Sequence, residues 1–94
     1  VRALIGHPDA EVRTHIAGAL GRMGTRDDAL RLALMLSDES PAVRYQAAVA
    51  LTRLPDLPRS HLRVLLSGLM NPQATALVNQ ALAERVALQR FQAA

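Results

Sequence analysis

A five-residue pattern recurs in this chain at a constant spacing, and that recurrence limits the possible folds sharply. Asp9-Ala10-Glu11-Val12-Arg13 is followed 31 residues later by Ser40-Pro41-Ala42-Val43-Arg44, and after 31 more by Asn71-Pro72-Gln73-Ala74-Thr75. Self-similarity at such a period marks a repeat array, in which each unit stacks on its neighbours because alone it cannot bury its apolar face. Asp9, Ser40 and Asn71 each offer a side-chain oxygen to an orphan N–H at a helix start. Pro41 and Pro72 stand at the first helical position, where a missing N–H costs nothing.

The phase holds beyond these starts. Ile16, Ala47 and Val78 share one register, as do Ala19, Ala50 and Ala81, and Leu20, Leu51 and Leu82. Val12, Ile16, Ala19, Leu20 and Met23 have helical spacing, and Val43, Ala47, Ala50, Leu51 and Leu54 repeat it, so each first helix buries one stripe. Gly24 and Pro55 end these helices. Thr25 caps the next helix with Asp28 as the acidic member of a capping box, and Pro58 suits an early helical position in the second unit. Leu30, Ala33 and Leu34 match Leu62, Leu65 and Leu66 at an offset of 32, the one extra residue being absorbed in a turn. Val1, Leu4 and Ile5 read as the tail of an earlier second helix. A closing helix runs from about Pro72 to Phe91, with Leu77, Val78, Ala81, Leu82 and Val86 on one face.

Composition agrees. Half of the 94 residues are apolar, yet Tyr45 and Phe91 are the only aromatics, so the core is aliphatic. That disfavours a β-sandwich and a disordered chain. The absence of cysteine excludes a disulfide scaffold, a thiolate zinc site and a cysteine nucleophile. No run approaches the roughly 18 apolar residues of a membrane span, and no leader is visible, so a cytoplasmic protein without membrane contact is expected. The chain begins at Val1 rather than Met, which reads as a piece of a longer protein. The expected fold is all-α: a solenoid of about five to six helices, one domain over 1–94, with units of about 7–37, 38–68 and 69–94.

The stretch Leu36-Ser37-Asp38-Glu39-Ser40-Pro41-Ala42-Val43-Arg44, continued by Ala47-Ala48 and Ala50-Leu51, resembles a HEAT repeat, and is similar to the short bacterial kind found in phycobilin lyases. The first unit shows the same pattern at Ile5, Val12-Arg13, Ala17 and Ala19-Leu20. The resemblance implies a right-handed α-α superhelix of stacked antiparallel hairpins. It also implies a polar ladder built from an Asp and an Arg six residues apart. Asp38 and Arg44 fit it. Arg13 is present in the first unit, but His7 stands at the Asp position, and Leu69 and Thr75 replace both members in the third. The ladder residues Arg13, Asp38 and Arg44 are thus structural, and the third unit reads as a degenerate end.

Little else points to chemistry. His7, His15 and His61 have no histidine partner at helical spacing for a metal, and no elbow or oxyanion motif surrounds Ser60 and His61. Asp27-Asp28 and Asp38-Glu39 lie at helix starts, where the dipole favours acids and adjacent carboxylates diverge into water. Gly21-Arg22-Met23-Gly24 has the spacing of a backbone-clamping loop, but the sheet such a module needs is missing, and a repeat turn explains the glycines. No cofactor, no metal and no catalytic group is expected.

The arginines remain. All eleven basic residues are arginine, for a net charge of +3, which a GC-rich genome explains most simply. Arg22 and Arg53 recur on the outer face of the first helices. Arg31 and Arg63 recur at an offset of 32 on the exposed side of the second helices, which by analogy line the concave groove. Arg26 and Arg59 lie nearby, and Leu32, Met35 and Val64 share that side. Such a mixed surface suits an acidic, amphipathic helix of a partner protein. The leading expectation is a non-catalytic scaffold binding protein through this face. Duplex DNA in an arginine-lined groove is the alternative, weakened by the absence of lysine and the scarcity of aromatics. An enzyme, or enzyme subunit, of phycobilin-lyase type is the third reading. Homo-association is expected through the open apolar ends, Val1, Leu4 and Ile5 on one side and Leu88 with Phe91 on the other.

Overall fold

The computed structural model describes residues 8–54 and 57–93, without the side chains of Arg26 and of 89–93. Five α-helices follow one another: α1 (Ala10–Met23), α2 (Ala29–Met35), α3 (Pro41–Arg53), α4 (Arg59–Leu69) and α5 (Pro72–Ala93). A 3-10 turn, Arg26–Asp28, precedes α2. No strand occurs among the described residues, and the fold is all-α. The expected tail at Val1, Leu4 and Ile5, together with His7 and Pro55, lies outside the described residues.

The 31-residue period governs the first helices. Val43, Ala47 and Ala50 of α3 are buried, and so are Ala74, Val78 and Ala81 of α5. In α1 the buried set is Ile16, Ala17, Leu20 and Gly21, while Met23 turns out to solvent instead of joining the stripe. Small residues on these faces let the helices approach closely. At Gly21 the approach is so tight that an added Cβ would lie 2.7 Å from the Cα and Cβ of Ala50. Gly21 is therefore a packing residue inside α1, not part of a turn. Gly24 does end α1, donating its N–H to the Leu20 carbonyl at 2.8 Å. A side chain there would collide with that carbonyl and with the Asp28 carboxylate.

The starts differ in chemistry. Asp9 Oδ1 accepts the Glu11 N–H at 2.9 Å, and Asn71 Oδ1 accepts those of Gln73 and Ala74 at 3.1 and 3.2 Å, each worth about 1 kcal/mol. Ser40 occupies the same position but makes no side-chain cap. Its own N–H is taken by Asp38 Oδ1 at 2.9 Å. Pro58 sits just before α4 rather than inside it.

The second helices depart from the expected register. Leu32, Ala33, Met35 and Leu36 are buried in the first unit, and Leu62 and Leu66 in the second. Leu32 and Leu36 thus match Leu62 and Leu66 at an offset of 30, not 32, and Leu30 and Leu34 face solvent. The cause lies in the turn before α2. Thr25 donates its N–H to Asp28 Oδ2 at 3.0 Å, and Asp28 is fully buried rather than hydrated. The turn thereby sets the helix phase.

Candidate functional site

Two features follow from the stacking of the units. The first is the rung between units. Arg13 of α1 donates from Nε to Asp38 Oδ2 at 2.9 Å and from Nη2 to Asp38 Oδ1 at 3.0 Å. Its Nη1 reaches the Pro8 carbonyl at 3.0 Å. Arg44 grips the same loop from the other side, donating from Nη1 to the carbonyls of Asp38 at 2.7 Å and Glu39 at 3.1 Å. The Asp38 carboxylate therefore serves Arg13 of the preceding unit, while Arg44, six residues on, holds the backbone. Burial opposes ionisation of Asp38. The hydrogen bonds from Arg13 and the Ser40 N–H, with the charges of Arg13 and Arg44, outweigh it and hold the carboxyl below its ordinary value. The Arg13 guanidinium is raised, first by its hydrogen bond to Asp38.

The second feature is the outward side of α2 and α4. On α2 it holds Leu30, Arg31 and Leu34, the two leucines 58% and 61% exposed. On α4 it holds Arg59, His61, Arg63 and Val64, with Val64 71% exposed. Leu34 and Val64 hold equivalent, exposed positions at the offset of 30, one on each of two helices that pack together. Leu32 and Met35, expected on this surface, are instead 0% and 3% exposed and belong to the core.

The arginines do not stack as expected. At the offset of 30, Arg31 is equivalent to His61 and Arg63 to buried Ala33, so the two arginines hold different phases of their helices. Arg31 is partly committed, reaching Asp28 Oδ1 and the Asp27 carbonyl, each at 3.4 Å. Arg63 has no hydrogen bond or ion pair among the described residues. Arg59 opens α4, and Arg26 lies in the 3-10 turn with its side chain outside the description. Neither α2 nor α4 contains an acidic residue. His15 and His61 are exposed, and no group of three acidic or histidine side chains among the described residues is placed to hold a metal.

A groove of about 350 Å³ between α3 and α5 gave no signal in the sequence. Its walls come from Tyr45, Val49, Thr52 and Arg53 on one helix and Ala81, Glu84, Arg85 and Leu88 on the other. These positions are too far apart in the chain for any local pattern to join them.

Stacked helical pairs, one layer of first helices, one of second helices and a polar rung between units together define an α-helical repeat protein. The family described as HEAT repeats matches residues 1–87, and the chain belongs to that family. HEAT repeats generally act as protein-interaction scaffolds. No curated protein and no solved structure matches the chain. No described helix is long and apolar enough to cross a membrane.

Proposed function

We propose that the chain is a non-catalytic scaffold that binds an acidic, amphipathic helix of a partner protein across α2 and α4. Exposed Leu34 and Val64, on two packed helices that carry arginines and no carboxylate, are the observation that carries this reading. Apolar side chains grouped on a charged rim suit a partner helix with aliphatic and acidic positions one turn apart. Arg59 strengthens the case. A cation in the first turn of a helix opposes the macrodipole, and no acidic residue of α4 offsets it there. A partner carboxylate would.

The test is affinity capture with and without nuclease, comparing the native chain with Leu34→Asp/Val64→Asp. Both side chains are exposed, so the variant keeps its helical circular dichroism. A discrete protein partner retained after nuclease, and weakened at least tenfold by the double substitution, is the expected result. Indifference to the substitution overturns the assignment of this face. Loss of all captured material on nuclease treatment replaces it with nucleic-acid binding, which would also show a steep salt dependence.

A further inference from the structure

The described lining of the groove between α3 and α5 comes from first helices, so it stands apart from the surface proposed for the partner helix. Its lining is of two kinds. Val49, Ala81 and Leu88 supply aliphatic surface, and Arg53 and Arg85 supply cations. Neither guanidinium has a hydrogen bond or ion pair among the described residues. The one carboxylate among the groove's described residues is already engaged. Glu84 Oε2 accepts the Tyr45 hydroxyl at 2.9 Å, and its Oε1 accepts the Gln80 amide at 3.2 Å. The Thr52 hydroxyl is likewise turned back, donating to the Val49 carbonyl at 2.7 Å.

We propose that this groove binds a small aliphatic carboxylate, its chain on Val49, Ala81 and Leu88 and its head between Arg53 and Arg85. Three considerations select that class. Guanidinium forks match carboxylate geometry and hold it with charge-assisted bonds. Among the described residues of the lining, Arg53 and Arg85 against Glu84 leave one net positive charge, which a monocarboxylate neutralises and the more highly charged phosphate monoester overshoots. The volume of about 350 Å³ lies at the small end of ligand sites, enough for a short chain and too little for a folded segment.

Octanoate, kept below its micelle concentration, is titrated into the ¹⁵N-labelled chain and followed by amide shifts. Octan-1-ol, with the same tail and no charge, runs in parallel, and so does octyl phosphate. Saturable shifts at Val49, Thr52, Ala81 and Leu88 with octanoate are expected. Binding at least tenfold weaker is expected with octan-1-ol, and with octanoate on Arg53→Gln/Arg85→Gln. Both arginines are exposed, and circular dichroism verifies that the variant is folded. Absence of saturation, equal binding of the alcohol, tighter binding of the phosphate, or shifts centred on α2 and α4 each overturns the proposal. Because the readout is mapped to α3 and α5, its failure leaves the reading of α2 and α4 untouched.

Discussion

The two seams of the stack are built from the same sequence period but not in the same way. Between α1 and α3, Gly21 lets one backbone meet the other at Ala50, and Arg13 fastens the neighbouring loops through Asp38. Between α3 and α5 the places of Asp and Arg are taken by Leu69 and Thr75. Among the described residues, one side-chain hydrogen bond joins the loops there, from Asn71 Nδ2 to the Ser37 hydroxyl at 3.3 Å. Farther along, Tyr45 and Glu84 hold the helices at one point and a groove opens beside them. A repeat can thus keep its helices and its core phase while losing the polar rung. The seam without the rung is the one that offers space to a ligand.

The seam between α1 and α3 is most sensitive at Gly21. Gly21→Val drives a branched side chain into Ala50, where even a single Cβ finds only 2.7 Å. Overpacking of this kind costs about 3 kcal/mol, read as a fall in thermal midpoint. The same residue type placed at Gly68, which faces open space, should leave the midpoint within a degree or two.

Next in size is the rung. Asp38→Asn should lower the midpoint by several degrees and should be non-additive with Arg13→Met in a double-mutant cycle, since the two side chains share one bidentate contact. At the other seam, Asn71→Ala combined with Ser37→Ala should be close to additive once the cap of α5 is allowed for, because the 3.3 Å contact is exposed.

Acid sharpens the contrast. The native Asp38 carboxyl lies below its ordinary value of 3.8, so its contribution to stability is full above that value. It is lost as the pH falls through 3.8 toward the lower native value. The midpoint of the native chain should drop more steeply across that window than that of Asp38→Asn, which has no group to titrate there.

The smallest effect is expected at Met70, which ends α4 in the left-handed region at φ 51° and ψ 37°. Glycine adopts that conformation without a Cβ penalty. Met70 is exposed, so Met70→Gly removes little packing and should stabilise by about 0.5 kcal/mol, the gain being offset in part by a looser unfolded chain.

The first helices were legible because two signals coincide on them. Asp9 and Asn71 cap, Pro41 and Pro72 open, and Val43, Ala47, Ala50 and Leu51 keep one helical phase that α5 repeats. The first of the second helices was not legible, for a physical reason. Leu30-Arg31-Leu32-Ala33-Leu34-Met35-Leu36 is apolar on almost every side, so periodicity alone cannot choose its buried face. The turn before it and its packing choose it: buried Asp28, the absence of a Gly24 side chain, and the packing of α2 on α3. The error carried into the candidate surface. Val64 stands where its helix phase placed it, exposed on α4, but Leu32 and Met35 give way to Leu30 and Leu34. In the same way, Arg13 was readable as structural, yet that its partner is Asp38 of the following unit follows only from the stacking of the two loops.

Native-state hydrogen exchange compares the two seams within one molecule. The amides of Ala17, Leu20, Ala47 and Leu51 should exchange only through global unfolding. Those of Val86 and Leu88, which follow Ala81, the last buried residue among the described side chains of α5, should exchange through a smaller opening that leaves α1 and α3 closed. Equal protection along α5 and α3 would contradict the account, because it would mean that the seam without the rung is sealed as firmly as the one that has it.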